Sequence, residues 1–355
     1  MSISRLMQMG AAGVPTVQKQ AVIFVGDGNI AAYEWIPGTG FGSAYSAPSL
    51  PTNSNYDCFF SNNKDAFFVA GSSSPYVSAW AWNTDTGFGS ALSQPSSPQT
   101  VYAYGGGDIN SADSAVVIGG QAGGGGQPEV VAYAFSSSGG FGTKYSDPSS
   151  LIGQTVRQVN FDPTDANIVM GVDQYLGFSV AKYAWSNSSG FGSKTTYTGI
   201  NFGGGYGIDF HPSGSYVVVT TGSSPYARSY GYSSSGFGSL VSTPSSTPGS
   251  ATDDPAFNSD GSVVALCEFN SPYVHAYAYS SGSFGTKYSN PSSLPGGYRE
   301  SVRFSPDDDV IFVGGGGGST KVDIYNWSNS SGFGSRISTP SAANFRTRQI
   351  AVVKG

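Results

Sequence analysis

Charge is what this chain has least of: only 11% of its 355 residues are Asp, Glu, Lys or Arg, and the net charge is −6. The 16 basic residues stand singly, so no Lys/Arg cluster could neutralise a run of phosphates, and nucleic acid is not an expected partner. The same scarcity argues against an anionic membrane surface, and no apolar run approaches the length that crosses a bilayer. Histidine is nearly absent. His211 sits in a His-Pro-Ser-Gly turn and His275 opens a strand-like run, neither with a Cys, His or carboxylate at ligand spacing. No metal site, cofactor or catalytic residue is therefore expected. Cys58 and Cys267 lie in apolar runs of different parts of the chain, which reads as two buried, reduced, structural thiols. Sustained 3.6-residue periodicity is also missing, which excludes a helical fold.

What is abundant is Gly (51 residues), Tyr (22) and Phe (22), the composition of strands and tight turns. A Phe-Gly pair behind a Ser/Gly turn recurs at Phe41, Phe88, Phe141, Phe191, Phe237, Phe284 and Phe333, at spacings of 47, 53, 50, 46, 47 and 49 residues. A near-constant period means one supersecondary unit repeated seven times.

Each copy carries four strand signals. In the best-formed copy, S-V-R-F-S-P-D (301–307) is a short strand running into an Asp/Pro turn. V-I-F-V (310–313) follows, then a Gly-rich connection, then K-V-D-I-Y-N-W (321–327) and a short outer strand from Phe333. The third strand alternates large aromatics with Ala, as in H-A-Y-A-Y (275–279), which puts rings on one face and Ala on the other. One blade can then lie close against its neighbour. Four strands, seven times, predict an all-β fold: a seven-bladed β-propeller of four-stranded antiparallel blades spanning 21–355. The first copy lacks an inner strand, and T-R-Q-I-A-V-V (347–353) has no blade after it. Pairing that C-terminal strand into the first blade closes the ring and protects an open edge.

The strand–Phe-Ser-Pro-Asp–strand pattern at 304–307 resembles the WD-repeat propellers, although no copy carries their Gly-His or Trp-Asp pair. The segments Y-A-W-S-N-S-S-G-F-G-S-K (183–194) and G-T-K-Y-S-D-P (142–148) are similar to WD-like propellers of tailed, especially marine, bacteriophages. The opening M-S-I-S-R-L-M-Q-M-G-A-A-G resembles the start of several phage structural proteins. It has no signal-peptide h-region. The resemblance implies that 1–20 is a docking segment, a short helix or extended, with Ile3, Leu6, Met7 and Met9 as its contacts to other virion proteins. It also implies a virion location, in head or tail, for a protein made in the host cytoplasm.

Other candidate features read as structural. Asp253-Asp254 and Asp307, Asp308 and Asp309 are expected at blade turns, without the ordered spacing of a calcium loop. The Gly runs at 105–107, 123–126, 203–205 and 314–318 lack a following Lys-Ser/Thr and read as hairpin connections. The repeated Phe of the Phe-Gly pair reads as a plug between blades. One set of residues invites a binding role: Tyr76, Tyr226 and Tyr273, each behind Ser-Pro, with Tyr175 at the equivalent place. Exposed Tyr rings there could stack on sugars or grip a protein; packed inward, they would belong to the core.

A propeller enzyme would need carboxylates converging with His or Arg in the central channel, and equivalent positions in the copies show no such departure. The expectation is a non-enzymatic virion structural, decoration or tail-associated protein. The alternative is a module binding a host-surface glycan or receptor through the Ser-Pro-Tyr loops.

Overall fold

A computed structural model describes residues 18–355 except 52–53, 97–100, 104, 123–125, 174–175 and 201–202. Ile3, Leu6, Met7, Met9 and Tyr175 lie outside the described residues. Seven four-stranded antiparallel sheets follow one another around a ring, as expected. The third blade adds a two-stranded ribbon, Val101–Tyr102 with Gln121–Ala122.

Closure is as the chain ends predict. Strand Gln349–Lys354 pairs antiparallel with Gln20–Gly26, from Gln20 opposite Lys354 to Val25 opposite Gln349. It supplies the inner strand of a first blade whose other strands are Asn29–Ile36 and Gly40–Ala44.

The alternation of the third strand builds the interfaces between blades. In the second blade, Trp80 and Trp82 of Val77–Asn83 pack with Ile23 and Val25 of the first. On its other face, Ala79 meets Tyr133, Phe135 and Ile118 of the third. The repeated Phe sits edge-on between the aromatics of its own third strand. Phe333 lies 5.7 Å from Tyr325 and 5.1 Å from Trp327, both T-shaped. Pairs of this geometry contribute about 0.5–1.5 kcal/mol beyond area burial. The preceding Gly has φ of +82° at Gly87 and +81° at Gly332. A Cβ on Gly87 would also stand 2.6 Å from the Tyr45 ring of the preceding blade. Tyr45 in turn donates its hydroxyl to the carbonyl of Thr84 at 2.6 Å, tying blade to blade.

A second tie uses the turn after the inner strand. Asp113, Asp165 and Asp308 adopt φ of +51°, +54° and +56°, and each carboxylate reaches the turn of the preceding blade. Asp308 accepts from the Ser259 amide at 3.1 Å and its hydroxyl at 2.6 Å. Asp113 accepts from the amides of Asn62 and Asn63, both at 2.8 Å. The turn role expected of Asp307, Asp308 and Asp309 is therefore realised, and Asp307 additionally accepts from Lys354 at 2.5 Å. Cys58 and Cys267 are buried free thiols.

Candidate active site in the central channel

The inner strand of every blade is a sheet edge, and seven such edges face one another around the axis. Register places equivalent residues on three tiers. The mouth tier is Arg348, Tyr56, Gly105, Arg157, Tyr206, Asp253 and Glu300, in blade order. Next comes Gln349, Asp57, Gly106, Gln158, Gly207, Asp254 and Ser301. Deeper in lie Asp108, Asn160, Asp209 and Arg303, with Ala351, Phe59 and Ala256 at the remaining places. Blades that are nearly interchangeable elsewhere differ at almost every one of these positions. The expectation that channel-facing positions hold no departure is thus overturned.

Two local readings are corrected with it. Asp253 and Asp254 do not occupy a turn; they belong to the inner strand Thr252–Phe257. Asp-Asp-Pro imitates turn chemistry, but here Pro255 follows a bulge, where a missing amide costs the ladder little. Gly105 and Gly106 are likewise no hairpin tip, because they lead into the inner strand Gly107–Ile109. A Cβ on Gly106 would fall 2.1 Å from Asp57 Oδ2, so glycine there makes room for the carboxylate.

The upper two tiers enclose a cavity of about 360 Å³ that also takes in Phe269 and Arg346. Its arginines are held by carboxylates. Arg346 donates Nε and Nη2 to the two oxygens of Glu300, at 2.9 and 2.5 Å. Arg157 makes the same forked contact with Asp173, at 2.8 and 3.2 Å. Arg348 donates to Asp27 at 2.8 Å and lies over the Tyr56 ring at 4.6 Å. A forked contact fixes a guanidinium plane while leaving donors over for a ligand.

The acids divide into two kinds. Asp57 Oδ2 accepts the Gly107 amide at 3.0 Å, Asp108 Oδ2 that of Phe161 at 2.8 Å, and Asp209 Oδ2 that of Phe257 at 2.8 Å. Gln158 does the same for Ile208 at 2.5 Å. Each side chain caps an edge amide of the next blade, so these acids finish the sheet edges. Burial pushes their carboxyls up, to about 6 for Asp57 and about 7 for Asp108 and Asp209, against the lowering effect of the donated amides.

Asp253 is different. It accepts a local hydrogen bond from the Asp254 amide at 3.2 Å, and it stands at the mouth. Burial and then the neighbouring Asp254 charge raise it to about 7, while Arg157 pulls the other way. Asp254 is raised by burial but is held by Arg303, whose Nη1 donates to it at 2.5 Å. A carboxyl that titrates near neutrality, partly buried in a cleft whose wall also carries Arg157, suits proton transfer.

The tyrosines singled out from the sequence sit elsewhere. Tyr76, Tyr226 and Tyr273 precede the third strands Val77–Asn83, Ala227–Ser233 and Val274–Ser280, with φ of +66°, +65° and +70°. Each is half-buried, joins none of the apolar core clusters, and does not line the channel cavity. His275 is buried with Nε2 2.6 Å from Glu268 Oε1, a pairing the sequence did not reveal. Glu268 also gathers the amides of Gly249 and Ser250, so the pair secures a loop between blades. Among the described residues no group of acids, His and Cys is arranged to hold a metal ion.

No family model and no curated protein matches this chain. Solved structures do. A candidate 6-phosphogluconolactonase from Bacteroides fragilis superposes with a TM-score of 0.71 at 11% identity, over 96% of this chain and 99% of that one. The periplasmic gluconolactonase of Pseudomonas aeruginosa gives 0.72 at 12%, over 94% and 99%. A candidate 6-phosphogluconolactonase from Bacteroides uniformis gives 0.69 at 11%, over 95% and 100%. At such identity the likeness shows the fold. The expectation of a non-enzymatic virion protein is corrected: these three propellers carry the names 6-phosphogluconolactonase or gluconolactonase, none of the three is a phage protein, and the channel holds the carboxylates and arginines that a non-enzymatic protein was expected to lack.

Proposed function

We propose that this chain is a hydrolase that opens the lactone of a small polyhydroxylated acid at the mouth of its central channel. The observation that carries this reading is Asp253, a neutral-range carboxyl that lines the same cavity as Arg157, within a ring of inner-strand positions where the blades diverge. The names of the similar propellers supply the substrate class.

In the reaction, water attacks the lactone carbonyl carbon and gives its proton to the Asp253 carboxylate. The new C–O bond leaves a tetrahedral oxyanion, and the Arg157 guanidinium stabilises that charge as it develops. The ring C–O bond then breaks, and the departing alkoxide takes the proton back from Asp253. Water has been added, the product is the open hydroxy acid, and the aspartate is restored. Arg346 and Arg348, fixed by Glu300 and Asp27, orient the hydroxyls or anionic group of the substrate.

A pH-stat assay with δ-lactones of aldonic acids, phosphorylated and unphosphorylated, tests this. Acid release well above the spontaneous rate, lost in Asp253→Asn, is expected. A folded protein that leaves every lactone at the spontaneous rate overturns the proposal.

A further inference from the structure

Outside the channel, one place in the ring breaks the repeat three times over. The first break is in the connection between blades. Seven residues after the repeated Phe, six copies have Pro: Pro48, Pro95, Pro148, Pro244, Pro291 and Pro340. The fourth copy has Thr198. The second is in the outer strand. Three residues after the Phe, four copies have Lys144, Lys194, Lys287 or Arg336, and two have Ala44 or Ala91. The fifth copy has Leu240, which is 50% exposed.

The third break is a hydroxyl. Tyr183, Tyr277 and Tyr325 each donate to the carbonyl of a serine two residues beyond that Pro: Ser150 at 2.5 Å, Ser246 at 2.7 Å and Ser293 at 2.7 Å. Tyr230 is the equivalent residue of the fifth blade. The carbonyl that should receive it belongs to Ile200, and that oxygen instead accepts the Ser179 amide at 2.7 Å. Tyr230 is 3% exposed and its hydroxyl has no hydrogen-bond partner.

All three departures line one cavity of about 430 Å³ between the fourth and fifth blades, with Tyr197 and Ile200 as further walls. We propose that this cavity binds a neutral tertiary amide on a compact apolar ring, the chemistry of a prolyl group. The amide oxygen takes the Tyr230 hydroxyl, as a serine carbonyl does in the neighbouring blades, and the ring fills the space that a buried Pro fills at Pro148, Pro244 and Pro291. A buried donor without an acceptor is costly, so a ligand that supplies one recovers that cost on binding. Leu240 makes the wall apolar where Lys194, one blade earlier, sends its ammonium to the Leu151 carbonyl.

The test is heteronuclear NMR titration of the full chain with N-acetylproline amide and with the peptide Ac-Pro-Ser-Ser-NH2. Saturable shifts confined to 196–200 and 230–240 are expected, with affinity at least roughly tenfold weaker in Tyr230→Phe. A second variant, Leu240→Lys, refills the cavity with the side chain that stands at Lys144, Lys194 and Lys287 and should block binding while folding normally. Equal binding of both probes points to a free small amide, and tighter binding of the peptide points to a prolyl segment. No saturable shift with either probe, or undiminished binding by Tyr230→Phe, overturns the proposal. Hydrolysis in the channel is unaffected by either variant, so this site and the active site stand or fall separately.

Discussion

Asp57 Oδ2 accepts the backbone amide of Gly107, one blade further on, at 3.0 Å. The same link runs from Asp108 to Phe161 and from Asp209 to Phe257. The inner acids are therefore first of all the means by which exposed sheet edges are satisfied, and an acid in the channel is not by that fact catalytic. Asp108→Ala leaves the Phe161 amide without its acceptor and should cost about 1–3 kcal/mol in urea unfolding. Asp108→Asn keeps an acceptor oxygen and should lie close to wild type at pH 8. Both variants should hydrolyse lactone within a few-fold of wild type. Loss of activity in Asp108→Asn would move the catalytic assignment deeper into the channel.

Stability should fall as pH rises through neutrality. The carboxyls of Asp57, Asp108, Asp209 and Asp253 are raised chiefly by burial, to about 6, 7, 7 and 7. Between the ordinary carboxylate range and pH 7 the folded chain thus holds more protons than the unfolded one. The unfolding free energy then decreases with pH across that window and levels off above it. The melting temperature should be higher at pH 5 than at pH 8. The opposite order would mean that the channel acids are ionised throughout.

The ties between blades can be weighed singly. Asp308 has φ of +56° and accepts from both the amide and the hydroxyl of Ser259. Asp308→Gly keeps that backbone conformation without strain and deletes only the carboxylate. The expected loss is about 1–2 kcal/mol by chemical denaturation. Asp308→Ala should lose more, because Cβ resists positive φ.

Four of the equivalent tyrosine hydroxyls make a controlled comparison. Tyr183→Phe, Tyr277→Phe and Tyr325→Phe each delete a bond to a loop carbonyl and should each cost about 1 kcal/mol. Tyr230→Phe deletes a hydroxyl that bonds to nothing and should be neutral or stabilising. Equal losses at all four positions would show that the hydroxyls matter through packing alone.

The fold was legible because it is written seven times: the Phe-Gly spacing, the aromatic–Ala alternation of 275–279 and the orphan strand at 347–353 each fixed one part of it. The site was not legible, for a physical reason. Inner strands such as Thr252–Phe257 are six residues long, bulged, and carry polar residues toward the axis, so they lack the alternation that marks a strand. Asp253-Asp254-Pro255 and Gly105-Gly106 therefore imitated turns. Arg157 and Glu300 went unnoticed because each is single in its own repeat, and only the ring brings them to one cavity. One signal was available. A tier-by-tier comparison of the first two inner-strand residues would have exposed the divergence, just as comparison seven residues after each Phe exposes Thr198.

The most direct measurement is the pH dependence of kcat/KM for lactone hydrolysis by wild type and Asp253→Asn. Wild type should gain activity as pH rises through about 7, where Asp253 ionises into the general base. Asp253→Asn should fall by roughly 100- to 10,000-fold and lose that inflection while melting no lower than wild type at pH 8. A variant that keeps both rate and inflection would contradict the assignment of the channel mouth as the active site.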